Sequence, residues 1–274
     1  MGGQGWFVNG AAVEDAPTLT LHDPAARWGD GVYDTQRVHR GRPLNDDLHL
    51  QRLLANARAF EVEVDEELVA RTVAMALQAA AGFADAAVRS TVAVMHDGPP
   101  MIACLVTPWT EPTAADYARG VRMITSSVPH PATGAFGKTL SYGLFRIAAR
   151  QAAQQAADDA WLCRDGVVIE STSAAVLWSE GDRWYRGDCT GAALRSTTLD
   201  ALQRRGHEFT AADARLERLL SADQILLASG LQLVRGVAVW QHDESRRWQC
   251  TEPDAAASQM RAALLEPEQG CHDR

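Results

Sequence analysis

One stretch narrows the fold more than any other: Gly29-Asp30-Gly31-Val32-Tyr33-Asp34-Thr35-Gln36-Arg37-Val38-His39. Two glycines flanking an aspartate permit positive φ or a close backbone approach. After them Val32, Asp34, Gln36 and Val38 alternate with Tyr33, Thr35, Arg37 and His39, which suits a strand. Arg40-Gly41-Arg42 turns the chain. Residues 45–60 then carry Leu50, Leu53, Leu54 and Ala57 at helical spacing, with Asn45 and Asp46 as candidate caps. Arg52 sits beside that stripe, where it is either a snorkelling arginine or an anion ligand pointing inward. A second helix is expected over 65–80, with Glu66 and Glu67 in its first turn as the helix dipole favours.

Strands frame these two helices. Trp6-Phe7-Val8 runs into Asn9-Gly10, a strong hairpin signal, and 17–22 reads as a second short extended piece. Val88–Val94 and Met101–Val106 are β-rich runs across the turn Asp97-Gly98-Pro99-Pro100. The pattern predicts an α+β domain over 1–110. Composition shifts between Pro108 and Asp116, placing a linker at 111–118 and a second domain over 119–274. In that domain 121–128 begins a strand. Ala160–Cys163 and Val167–Glu170 flank the turn Arg164-Asp165-Gly166, and the chain runs on through 171–178. A helix over 213–221, strands over 224–230 and 234–240, and a final helix over 253–265 complete it.

Composition sets the class. Apolar residues make up 46% of the 274 and charged residues 22%, an ordinary globular balance. A net charge of -9 with scattered arginines argues against a nucleic-acid partner. No apolar run approaches the roughly 20 residues that span a bilayer, and the N-terminus lacks a signal-peptide pattern. Five cysteines at wide spacing, without a Cys-x-x-Cys pair, read as reduced thiols of a cytoplasmic protein and not as a metal site.

Lys138 stands out against this background. It ends a small-residue loop (Ala132, Thr133, Gly134, Ala135, Gly137) and precedes the apolar helical run 144–149. A packed ammonium is costly unless its amine is used, and a desolvated lysine amine is the usual partner of a carbonyl in Schiff-base chemistry. About thirty residues on, Glu170 closes an apolar run beside the hydroxyls of Ser171, Thr172 and Ser173, a setting in which a carboxylate needs a donor or a cation. The loop at Ser196, Thr197 and Thr198 runs into a helix, which makes either an anion site or a plain cap.

In this order the motifs resemble the class IV pyridoxal-phosphate enzymes of fold type IV. That family includes the D-amino-acid and branched-chain aminotransferases, the (R)-amine transaminases and aminodeoxychorismate lyase. Gly-Asp-Gly-Val-Tyr, His49-Leu50-Gln51-Arg52-Leu53, Lys138-Thr139-Leu140-Ser141 and Glu170 carry the likeness. It implies a smaller N-terminal α/β domain and a larger barrel-like C-terminal domain. Lys138 should hold pyridoxal 5'-phosphate as an internal aldimine, and Glu170 should keep the pyridine nitrogen protonated. Arg52, Ser196, Thr197, Thr198 and the turn at Gly230 and Leu231 should bind the phosphate. Tyr142 should lie near the phenolic oxygen, and Tyr33, Thr35 and Arg37 should shape the substrate pocket. Ala175, Ser141, Ser196 and Leu231 depart from the usual residues.

The resemblance implies a transaminase moving an amino group from a D-amino acid, branched-chain amino acid or (R)-amine to a 2-oxo acid. Aminodeoxychorismate lyase, which releases pyruvate and 4-aminobenzoate, is the alternative, because both reactions start identically. Asp34-Thr35-Gln36-Arg37 resembles the lyases and Gly29–Tyr33 the D-amino-acid transaminases. A phosphate-ligand-binding relative without catalysis is the third reading. A homodimer is implied by analogy.

Overall fold

The computed structural model describes residues 5–132, 137–187 and 192–267. Thr133, Gly134 and Ala135 before the lysine, and Thr190 and Gly191 of the hydroxyl loop, lie outside the described residues. Contacts divide the chain into two units, Met1–Glu111 with Thr133–Tyr142, and Pro112–Ala132 with Gly143–Arg274. The lysine stretch therefore groups with the first unit, although in sequence it falls within the second expected domain.

In the first unit β1 (Gly5–Val8) and β2 (Ala11–Val13) form a hairpin. Asn9 and Gly10 both take positive φ, 47° and 80°, the turn that matches strand twist. The piece at 17–22 is not a strand. Asp23 accepts from the Thr20 amide and hydroxyl, closing a local turn that competes with ladder pairing. Helix α1 (Pro24–Trp28) follows, with proline in its first turn. Strand β3 (Gly31–His39) comes next, then the short β4 (Arg42–Pro43), α2 (Asp46–Ala59) and α3 (Glu66–Ala80). Last are β5 (Asp85–Ala93) and β6 (Met101–Pro108). Among the described residues these six strands form one antiparallel sheet, in the order β2-β1-β6-β5-β3-β4.

Period-two alternation gives β3 two unlike faces. Val32 and Val38 pack with Leu53, Ala57, Val69 and Val73 in a core between the sheet and α2 and α3. Asp34 points the same way and is buried under α2. Arg52 donates to it through Nε (2.7 Å) and Nη2 (3.0 Å), and His49 Nδ1 lies 2.6 Å from the same carboxylate.

The second unit opens on α4 (Ala114–Arg119), inside the expected linker. There Thr113 and Asp116 form a reciprocal capping box. Strand β7 (Val121–Thr125) leads to α5 (Gly143–Gln154), then β8 (Asp159–Arg164), β9 (Val167–Ser171), β10 (Ala175–Glu180) and β11 (Arg183–Gly187). Helix α6 (Thr197–Arg204), β12 (Thr210–Ala212), α7 (Leu216–Leu220) and β13 (Gln224–Ser229) come next. β14 (Leu233–Gln241), β15 (Arg247–Gln249) and α8 (Ala255–Leu265) end the unit. Among the described residues its sheet runs β12-β11-β10-β13-β14-β7-β8-β9, with β15 on β14. β14, β7 and β8 are mutually parallel neighbours.

This sheet curls until β9 comes against β10 and β11, as strand twist permits. Trp161, Trp178, Trp240 and Trp248 fill the interior with Val168, Val176, Ile225 and Val237. A buried tryptophan N–H usually finds a partner, although Trp161 Nε1 has none among the described residues. Trp240 donates to Thr125 Oγ1 at 3.0 Å and Trp248 to the Ala222 carbonyl at 2.8 Å.

The Asp34 cluster gives a stability prediction. Burial alone would push its carboxyl up, but Arg52 and His49 outweigh it and hold the group well below the usual carboxylate range. A depressed acid contributes stability fully above its unfolded value of 3.8 and loses it as pH falls through the folded one. Asp34→Asn should cost about 3–5 kcal/mol near neutral pH, because it removes the carboxylate charge that faces a buried guanidinium. The gap to wild type in urea unfolding should shrink steadily as pH drops below 3.8. A gap that stays flat from neutral to acid pH would contradict this account.

Candidate functional site

Lys138 is the single lysine of the sequence, and its backbone is fixed before its side chain is. Beyond β4 the outer edge of β3 is covered by the lysine segment itself. Tyr33 N–H donates to the Lys138 carbonyl at 2.8 Å, Leu140 N–H donates to the Gly31 carbonyl at 2.9 Å, and Thr139 pairs with Val32. Both flanking glycines are needed. At Gly31 (φ 148°) a Cβ would lie 2.3 Å from the Val92 carbonyl oxygen, and at Gly137 (φ 82°) it would lie 2.3 Å from Asn56 Oδ1.

Ser141 donates to the Trp28 carbonyl at 2.9 Å, which ties the segment to α1. The Lys138 amine lies 5.0 Å from the centre of the Tyr33 ring and 5.8 Å from that of Tyr142; the two rings meet edge to face. Arg89 stacks on Tyr33 at 3.8 Å.

Thr35 and Arg37 share the Tyr33 face of β3. Arg37 is fully buried, with Nη2 2.8 Å from Asp85 and 3.0 Å from Glu111, and its guanidinium lies over Trp109. His39, Asp85 and Glu111 bring ligand atoms within 4.8 Å of one another, a spacing that could hold a metal. The Arg37 guanidinium already supplies the positive charge there. Arg52 is turned onto Asp34 on the opposite face of β3. One turn further along α2, Asn56 Nδ2 is buried beside Gly137 with no hydrogen-bond partner among the described residues.

In the second unit, Glu170 sits where β9 is irregular. Leu162 pairs with Glu170 and Cys163 with Val168, so Ile169 is the extra residue of a bulge. Bulges re-aim side chains. Glu170 Oε1 lies 2.8 Å from Nε2 of His130, whose side chain is fully buried. His130 is anchored by its own N–H to the Cys163 carbonyl at 2.9 Å. Burial pushes the Cys163 thiol up to about 12, so the residue is no ready nucleophile.

The turn after Glu170 is held by Asp159. It accepts from Thr172 Oγ1 (2.6 Å) and from the amides of Ala160 and Thr172, and burial raises its carboxyl. Ser196 caps α6 by accepting from Leu199 N–H, and Thr197 and Thr198 are buried in the first turn. α6 packs on β13, which ends at Ser229; Gly230, Leu231 and Gln232 then turn the chain into β14. Ala175 pairs with Ala228 at the start of β10.

Sequence reading did not single out His130, Asp159, Asn56 or Arg89. Only His130 carries a readable signal, a lone histidine held between Pro129 and Pro131.

The family model for amino-transferase class IV matches residues 31–240. The chain belongs to the class IV aminotransferases. A bifunctional aminodeoxychorismate lyase / D-amino acid transaminase of Mycobacterium tuberculosis is 30% identical over 246 residues, 81% of this chain and 85% of that protein. The PLP-bound form of a hypothetical aminotransferase from Mycobacterium tuberculosis superposes with a TM-score of 0.81 at 28% identity, over 96% of this chain and 99% of that one. A fold IV-transaminase from Curtobacterium pusillum shares the fold at 20% identity, with a TM-score of 0.80 over 96% and 97% of the two chains. The α+β architecture of this class IV chain is therefore that of fold type IV.

Gly137→Ala tests how the lysine segment is held. The added methyl meets the buried Asn56 side chain in a backbone region that alanine disfavours, so about 1–3 kcal/mol of stability should be lost in thermal or urea unfolding. A variant as stable as wild type would show that the segment is not clamped against α2.

Proposed function

We propose that this chain is a pyridoxal-phosphate-dependent transaminase of class IV. It moves an amino group from a D-amino acid, branched-chain amino acid or (R)-amine to a 2-oxo acid. One observation carries the reading: the sole lysine of the chain lies on the β3 edge with its amine beside two tyrosine rings. The residues present suit the cofactor. Lys138 is an amine among aromatic rings, Glu170 is a carboxylate held by a buried donor, and a helix N-terminus carries three hydroxyls. Asn56 adds a buried amide with donors to spare. When bound, pyridoxal phosphate supplies an aldehyde that condenses with amines and a ring that accepts the electron pair released at the substrate carbon.

Within this reading Lys138 would hold the cofactor, and its amine would take the proton from the substrate's α-carbon as general base and pass it on as general acid without restoring it to that carbon. Glu170 holds a proton at the ring nitrogen. Arg52, steadied by Asp34, binds phosphate together with Ser196, Thr197, Thr198 and the backbone at Gly230 and Leu231. Tyr142 would lie near the phenolic oxygen. Tyr33, Thr35 and Arg37 form the wall met by substrate, with Arg37 fixing that wall from beneath through Asp85 and Glu111. We place the enzyme in the cytoplasm as a homodimer. Aminodeoxychorismate lyase activity is the second reading, favoured by the bifunctional relative and by Asp34-Thr35-Gln36-Arg37.

Borohydride reduction of the purified protein with pyridoxal phosphate should label one lysine peptide, the one containing residue 138. Lys138→Ala should lose the visible absorption band and at least roughly 10³-fold in turnover. Oxo-acid formation from D-alanine, measured beside pyruvate and 4-aminobenzoate release from aminodeoxychorismate, separates transaminase from lyase. A protein with no visible band, or one whose band survives Lys138→Ala, would leave only a phosphate-ligand binder.

A further inference from the structure

We propose that His130 is a positioning residue that aims the Glu170 carboxylate without cancelling its negative charge. The proposal rests on the reading that Glu170 takes the cofactor's ring nitrogen. At 2.8 Å the His130–Glu170 contact has the spacing of an ion pair. The other ring nitrogen decides otherwise. Ala132 N–H donates to His130 Nδ1 at 3.0 Å, so Nδ1 is an acceptor and carries no proton. The ring is then neutral, with its one proton on Nε2, and that proton is donated to Glu170 Oε1.

This lock is local. Pro131 fixes its own φ, and Ala132 adopts φ 56°, a left-handed conformation uncommon for alanine. Together they turn the Ala132 amide back onto the ring two residues earlier. The His130 backbone is held by the Cys163 carbonyl, Phe145 meets the ring edge to face at 5.5 Å, and the side chain is fully buried. A neutral donor orients a carboxylate by one hydrogen bond. An imidazolium or guanidinium in the same place would compete with a protonated ring nitrogen for the same charge. Hydrogen-bond partners of metal ligands matter by roughly 10–100-fold, and a donor to a cofactor-holding carboxylate is expected on the same scale.

Two variants and one spectrum test this. In the purified full-length enzyme with pyridoxal phosphate, ¹⁵N–¹H correlation of the histidine rings should show His130 singly protonated on Nε2 around neutral pH. A doubly protonated ring, or a proton on Nδ1, overturns the proposal. His130→Leu removes the donor and should weaken pyridoxal phosphate retention by about 10–100-fold, lowering kcat while the KM for amino donor stays within about threefold. His130→Gln keeps a neutral donor and should recover most of the retention. Equal retention by wild type and the leucine variant sinks the His130 role alone. A wild type that takes up no pyridoxal phosphate sinks the proposed function and the His130 role with it.

Discussion

The first unit depends on a carboxylate buried almost completely away from water. Asp34 is buried on the helix side of β3, and a buried carboxylate is tolerated only when charge and hydrogen bonds replace its hydration. Arg52 and His49, both on α2, supply them. The arrangement fixes how α2 lies on the strand. It also fixes where Asn56 meets Gly137, and so where the lysine segment runs along the edge of β3. The seating of α2 and the path of the lysine segment are coupled there through one side chain.

β3 divides its labour by parity. Even-numbered residues from Val32 to Val38 serve the core and the Asp34 cluster, while odd-numbered ones carry Tyr33, Thr35 and Arg37 on the face above which the Lys138 amine sits. A slip of one residue would exchange the two sets and bury Tyr33 under α2. The glycine at 31 guards against that slip, because only a residue without Cβ fits against the Val92 carbonyl.

Charge is handled differently in the second unit. Asp34 is paired with the Arg52 guanidinium and the His49 ring, whereas the partner of Glu170 is a ring whose second nitrogen is occupied by a backbone amide. The first arrangement spends a negative charge on the fold. The second holds a carboxylate in place and keeps its charge for something else, which is what separates a structural acid from one suited to chemistry.

Much of this was legible in the chain. Period-two alternation in β3, the leucine spacing of α2, the Asn9-Gly10 hairpin and the order of short motifs are local patterns, and local patterns survive without tertiary context. The class IV likeness was also local, because each motif is a few residues around a group that chemistry requires. Other features were not readable. The piece at 17–22 looked extended because its turn depends on an aspartate bonding three residues back, and the short α4 was hidden in a linker composition. Arg52 reads as snorkelling or as an anion ligand in the sequence, which does not reveal that Asp34 lies beneath it. His130 shows in the sequence only as a histidine between two prolines, because its meaning lies in a carboxylate 40 residues away and an amide two residues on. The sequence by itself determined which residues are chemically able to act, because residue type and spacing are one-dimensional facts. Only the tertiary structure decided which charges are consumed by the fold and which are kept, because that depends on burial and on partners brought together from distant parts of the chain.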